Sequence, residues 1–168
     1  MKQVKILRRI LSAFAGLLLF LSVEAQQEKE ILSTIEALYR HVSFSDSNAT
    51  RLDSLINIFT ADGRLIANFG KQPVGWSVAE YIASTRKNIS TQGMTSLSEK
   101  QLSHKLEVFG KIAHCFSTYE LRAELKGRAV VRRGINSIQL LQVDGKWLIT
   151  SLTWDREGDD LKIPEKYF

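Results

Sequence analysis

Cysteine is almost absent: Cys115 is the only one in 168 residues. No internal disulfide can form, so an apolar core must hold the fold by itself. His41, His104 and His114 are the only histidines, and they are dispersed, without the His/Cys/carboxylate spacing of a metal-ligand set. No metal and no cofactor is implied. Gly70, Gly75 and Gly110 occur singly, which leaves no phosphate-cradling loop. Arg132-Arg133 is only a pair and no basic stripe interleaved with aromatics is present, so nucleic acid is not an expected partner. Internal repeats and low-complexity tracts are also lacking.

What charge excess there is, a formal +5, gathers at the N-terminus. Lys2, Lys5, Arg8 and Arg9 precede an uncharged apolar run of 14 residues, 10–23, closed by Val23-Glu24-Ala25. A bilayer-spanning helix needs about 20 apolar residues, so the pattern reads as a signal peptide cut after Ala25. Export to the periplasm or the medium is expected, with no membrane association after cleavage. No cysteine follows the run, which rules out a bacterial lipid anchor. Removing four basic residues and one acid leaves a net charge of +2 on 143 residues, enough for one domain. Residues 26–157 are read as that domain and 158–168 as a C-terminal tail.

Within the domain, helices come first. Ile31, Leu32, Ile35, Leu38 and Tyr39 recur at helical spacing over 28–41. Thr50 with Asp53 resembles a capping box ahead of a short second helix carrying Leu52, Leu55, Ile56 and Phe59. Asp62-Gly63 is expected to turn the chain into a first strand over 64–69, with a loop over 70–75. Ser77 and Glu80 cap a third helix whose Val78, Tyr81, Ile82, Thr85 and Ile89 share one face. A Ser/Thr/Gly-rich link over 90–98 follows.

From there to about Asp155 the pattern has period two. Gly110-Lys111, Lys126-Gly127 and Asp144-Gly145 divide it into four long strands, an antiparallel meander with the helices packed on one face, hence an α+β fold. Counting outward from two-residue turns assigns cross-strand rows. One face carries Val108, Ala113, Leu140 and Ile149, then Leu106, Cys115, Ile138 and Ser151. Beyond these come His104, Ser117, Asn136 and Thr153, and last Leu102, Tyr119, Gly134 and Asp155. An apolar base with a hydrogen-bonding rim suits a small apolar or amphipathic ligand, held by His104, Ser117, Tyr119, Asn136, Thr153 and Asp155. Tyr119 lies opposite Gly134, where a ring can cover a residue without a side chain. The alternative is that His104, Ser117 and Asn136 satisfy one another beneath the helices. A single bulge would shift every row.

The opposite face is assigned Phe116, Ile135, Leu152 and Trp154 within a charged rim that includes a Glu120–Arg133 cross-strand pair. It reads as a homodimer surface, as a surface covered by the C-terminal tail over 156–168, or as scattered exposed apolar residues that need no partner.

The order of three helices around a first strand, then a meander ending in Asp144-Gly145-Lys146-Trp147-Leu148-Ile149 and Leu152-Thr153-Trp154, resembles the nuclear-transport-factor-2-like (SnoaL-like) superfamily. The Phe109-Gly110-Lys111-Ile112-Ala113-His114 turn, Ser117-Thr118-Tyr119-Glu120 and Gly134-Ile135-Asn136-Ser137 look like its exported bacterial members. The resemblance covers residues 28–157. It implies a cone-shaped, strongly curved antiparallel sheet, the meander plus the first strand, with the three helices on its concave face, a central pocket and often a dimer through the sheet. It says little about activity. Ketosteroid isomerase members carry an Asp base on the first strand, between the Phe ending helix two and the Gly before helix three. Matching Phe59 and Gly75 to those landmarks puts that place at Ala67 or Asn68. Neither takes a proton, which weakens the isomerase reading.

Three functions remain open: a pocketed small-molecule binder; a lyase, isomerase or hydrolase using His104 as acid or base, with Tyr119 and Asn136 orienting the substrate; and an interaction module using the convex face. Cys115, set in an apolar row, reads as an inert thiol. Expressed with its own leader, the exported product is expected to start at Gln26, checked by intact mass. Retention of residues 2–25 in that product would replace the cleaved leader with an anchor.

Overall fold

The computed structural model describes residues 24–46 and 50–168. Residues 1–23 of the expected leader lie outside that range, and residues 24 and 25 belong to a helix, α1, over 24–42. Among the described residues no helix is long and apolar enough to cross a membrane. Helix α1 turns Ile31, Ile35, Leu38, Tyr39 and Val42 into the core, the face that its spacing predicts.

The second helix is a single 3-10 stretch, Leu52–Asn57, whose N-cap is Arg51. No side chain caps it, so Thr50 and Asp53 do not form the expected box; the Asp53 carboxylate instead accepts from Arg86 Nη2 at 2.6 Å. Helix α2, Val78–Gln92, does carry its box. Glu80 N donates to Ser77 Oγ at 3.3 Å and Ser77 N to Glu80 Oε2 at 2.8 Å, and Gly93 ends the helix in the left-handed region.

Six strands form one sheet in the order β2-β1-β6-β5-β4-β3. They are β1 Phe59–Ala67, β2 Val74–Ser77, β3 Met94–Phe109, β4 Ile112–Leu125, β5 Arg128–Val143 and β6 Lys146–Arg156. All contacts are antiparallel except β1 with β6. The meander and its three turns stand where the sequence places them. At Lys126-Gly127 and Asp144-Gly145 both residues take positive φ, between 48° and 76°, which makes the hairpins of the I′ kind.

Three expectations need correction. Asp62-Gly63 is not a turn before the strand but part of β1, at a register irregularity between Phe59 and Arg64. Strand β2 occupies the end of the expected loop, where Trp76 pairs with Leu65. The link over 90–98 is shared between α2 and β3, separated only by Gly93.

The rows fail in two places, each because of one extra residue. In β6, Gln139 of β5 faces Ser151 while Leu140 faces Ile149, so Thr150 is a bulge; its hydroxyl donates to Gln139 O at 3.2 Å. In β3, Gln101 faces Tyr119 while Ser103 faces Thr118, so Leu102 is a second bulge. Every side chain beyond each bulge changes face. Cys115 and Ile138 are thus followed across the sheet by Leu152 rather than Ser151, and Asn136 by Trp154 rather than Thr153.

Leu152 and Trp154 therefore lie on the inner, helix-covered face, and Thr153 and Asp155 on the outer one. The four residues expected as one outer surface do not form it. Phe116 and Ile135 stay outside, and the ring of Tyr167, from the tail, packs 5.0 Å from Phe116. Glu120, also on the outer face and nearly buried, accepts from Arg133 at 2.8 Å, the expected pair, and from Arg122 at 2.8 Å. These guanidinium bonds hold its carboxyl below the ordinary range.

Gly134 does sit under Tyr119, but opposite Arg156 rather than Asp155. A Cβ there would run into the Asp155 carbonyl oxygen and come within 2.5 Å of the Tyr119 hydroxyl. Gly134→Ala is expected to cost about 2–3 kcal/mol through this overpacking, measured by urea unfolding; an unchanged midpoint would show that the ring and backbone yield freely.

Candidate functional site

The inner face places a chain of polar side chains inside an apolar core. Gln101 Nε2 donates to Ser117 Oγ at 2.7 Å, and that oxygen lies 2.6 Å from the Tyr39 hydroxyl. Asn136 Nδ2 donates to Tyr39 Oη at 3.1 Å and to Glu99 Oε1 at 3.2 Å. Both amide hydrogens are thereby engaged, so Asn136 ties the carboxylate to helix α1.

Glu99 is held from three sides. It pairs with Leu121 across the β3–β4 ladder. Its backbone N–H donates to Ser43 Oγ at 2.9 Å, just past the end of α1. An isolated bridge between Phe44 and Leu97, with N–H···O bonds of 2.7 and 2.9 Å, then fastens the same segment to β3.

The Glu99 carboxyl opens into a cavity of about 110 Å³ walled by Leu38, Val42, Leu97, Leu121 and Leu152, with Tyr81, Thr85, Asn136 and Trp154. Burial in these surroundings raises its pKa to about 7, against which the Asn136 bond works as the smaller, lowering effect. Trp154 stacks on Trp76 with centroids 6.2 Å apart, and the Tyr81 ring stands edge-on to both at 6.1 Å. Burial pushes the Tyr81 phenol up to about 12, and burial likewise raises Tyr39 and Tyr119, with the Glu99 charge adding to all three. These phenols stay protonated at neutral pH and are hydrogen-bond donors, not bases. Cys115 is fully buried and its thiol is raised to about 12 by desolvation, which removes it as a nucleophile.

Of the six residues expected to contact a ligand, only Asn136 lines this cavity. Ser117 and Tyr119 are buried beside it, Ser117 spent in the hydrogen-bond chain and Tyr119 covering Gly134. His104 pairs with Ser117 on the edge strand but is exposed, because the Leu102 bulge lets Gln101 take the seat beside the serine hydroxyl. Thr153 and Asp155 border a different cavity, on the outer face.

Glu99, Tyr39, Tyr81 and Trp154 were not among the expected site residues. Leu97, Glu99 and Gln101 do alternate in phase, the one signal available. Extending the strand back from His104 in strict alternation puts Glu99 on the wrong face.

A six-stranded, mostly antiparallel sheet with helices is the α+β architecture of the nuclear-transport-factor-2-like fold. A nuclear transport factor 2-like superfamily protein from Salmonella enterica superposes with a TM-score of 0.63 at 11% identity, covering 83% of this chain and 95% of that one. The Kfla4162 protein from Kribbella flavida gives 0.65 at 12%, covering 80% and 93%. A Novosphingobium aromaticivorans protein provisionally described as a scytalone dehydratase gives 0.65 at 14%, covering 85% and 93%. No family model matches the chain, and no curated protein matches it in sequence. At these identities the likeness establishes the fold.

The raised carboxyl makes a pH prediction. Folded Glu99 binds its proton up to about pH 7, whereas unfolded it releases it near 4.5. Between those values the native state holds more protons, so stability falls as pH rises through the window and is fullest below it. Glu99→Gln, which keeps an acceptor for Asn136, is expected to be more stable than wild type by on the order of 2 kcal/mol at pH 8 and equal to it near pH 4. Urea unfolding at the two pH values checks this; a pH-independent difference would mean that Glu99 titrates normally.

Proposed function

We propose that the chain is an exported small-molecule-binding domain that performs acid–base chemistry in its inner cavity, with Glu99 as the proton acceptor and donor. The observation that carries this reading is a glutamate carboxyl lining a mostly apolar cavity with one neutral hydrogen-bond donor, Asn136, and burial there raises its pKa to about 7. A general base works best when its pKa lies close to the operating pH, and burial of a carboxyl is the ordinary physical route to that value. Glu99 is also held in place: its backbone N–H donates to Ser43 and its Oε1 accepts from Asn136, which leaves Oε2 for a substrate.

The cavity limits the substrate to a small, largely apolar molecule, and proton abstraction next to a carbonyl is the reaction a lone buried carboxylate suits. Tyr81, protonated and on the cavity wall, is placed to donate to the developing oxyanion. The aromatic group of Trp76, Tyr81 and Trp154 gives one side of the substrate a flat surface. A lyase or isomerase is the resulting class, in keeping with the dehydratase named among similar structures. His104, exposed on the edge strand, has no part in it. Export rests on the leader read in residues 1–25.

Proton exchange into solvent D2O at the carbons next to the carbonyl of butanone, followed by NMR, tests the chemistry without the natural substrate. The protein is expected to accelerate exchange with a half-maximal rate near pH 7, and Glu99→Gln to lose about 100-fold of that acceleration. No acceleration at any pH would sink the enzyme reading and leave a binding domain.

A further inference from the structure

The outer face of the sheet holds a second cavity, of about 260 Å³, more than twice the inner one. Its floor is Phe116, Ile135 and Thr153, and its roof is Leu161, Ile163 and Pro164 of the C-terminal tail. Trp154 alone borders both cavities.

The roof is irregular chain held across the sheet by polar ties at its two ends. At the near end Glu157 N donates to Arg133 O at 2.8 Å, Ile163 N to Glu157 Oε1 at 3.1 Å, and Lys162 Nζ to Gly158 O at 2.9 Å. At the far end the Tyr167 carbonyl oxygen accepts from the Ser103 hydroxyl and from the Thr118 hydroxyl, the latter at 2.6 Å. The Tyr167 ring rests on Phe116, with Lys105 Nζ 5.2 Å from its centroid. These ties set the height of the tail above the sheet, and the side chains between them do not fill the space they span.

Most of the charged and polar groups at the border are already engaged, Asp155 Oδ1 accepting from Arg156 N at 2.7 Å. Lys162 and Glu157 bond within the tail, the Arg156 guanidinium lies 4.2 Å from the Phe69 ring centroid, and the Ser137 hydroxyl meets His114 Nε2 at 3.1 Å. What faces the empty volume is therefore mostly apolar and uncharged. A void of this character next to water takes up apolar molecules, since burying apolar surface is favourable and a cavity of about 150 Å³ already accommodates benzene.

We propose that this outer cavity is a second binding site, for a small uncharged apolar molecule of roughly the size of a fused two-ring aromatic, with the C-terminal segment as its lid. It stands apart from the Glu99 chemistry in walls, charge and face of the sheet, and does not rest on that reading.

Titration of the full chain with indole, observed through the methyl resonances of isoleucine and leucine, tests it. Saturable shifts are expected at Ile135 and Ile163. Ile163→Trp, which fills the space from the roof, is expected to weaken binding by about tenfold or more. Should that variant fail to fold, Leu161→Trp, at a roof position 52% exposed, serves the same purpose. Shifts confined to Leu38, Leu97 and Leu152 would put the probe in the inner cavity and overturn the proposal, as would the absence of saturable shifts at millimolar indole. Undiminished binding in a folded roof-filling variant would overturn it too.

Discussion

Ser117, Tyr39 and Asn136 are buried in an apolar core, with Gln101 and Glu99 half-buried at its edge, and the five have to satisfy one another, since an unpaired buried polar group costs on the order of 1–3 kcal/mol. The solution runs through both layers of the fold: Tyr39 comes from α1, Ser117 and Asn136 from the middle of the sheet, and Gln101 and Glu99 from its edge. The chain of bonds fixes how α1 sits on the sheet more narrowly than its apolar stripe could. Leucine and isoleucine contacts tolerate sliding, whereas a hydroxyl 2.6 Å from another does not.

That constraint also shapes the chemistry available. Asn136 spends one amide hydrogen on Tyr39 and the other on Glu99, so the carboxylate has one specific donor in a cavity whose other walls are mostly apolar. A second donor or a nearby guanidinium would return Glu99 to the ordinary carboxylate range. The outer face shows the contrast: Glu120 is buried, its side chain 3% exposed where Glu99 is half-buried, but Arg122 and Arg133 hold its carboxyl low, and it serves as a structural ion-pair partner. Two glutamates on neighbouring strands thus differ in role because of what faces them.

The two faces are also unequal in how they are covered. Helices close the inner face through the core cluster, with Ile31, Ile35 and Leu38 meeting Cys115, Ile138 and Leu152. The outer face is covered only where the tail crosses it, with Tyr167 on Phe116 and its carbonyl on Ser103 and Thr118. Cover by the tail was one of three readings open from the sequence, and its carriers, Tyr167 and Ile163, lie in a segment without periodicity of its own.

Local pattern was enough for the α+β class, the helical face of α1, the capping box at Ser77 and Glu80, the three hairpin turns and the pairing of β4 with β5. Each depends on residues adjacent in sequence or on counting from a turn whose chemistry is explicit in Lys126-Gly127 and Asp144-Gly145. The site was not legible in that way. Alternation carries no mark of where it is interrupted, so Leu102 and Thr150 look like ordinary strand residues. A bulge forms where the sheet bends over its helices and core, which only the assembled tertiary structure defines. One extra residue in β3 turned Glu99 and Gln101 inward, and one in β6 exchanged Thr153 and Asp155 for Leu152 and Trp154. Sequence determined which strands of the meander meet; packing of the sheet against its helices decided which side chains face the cavity, because a single inserted residue reverses the face of all that follow.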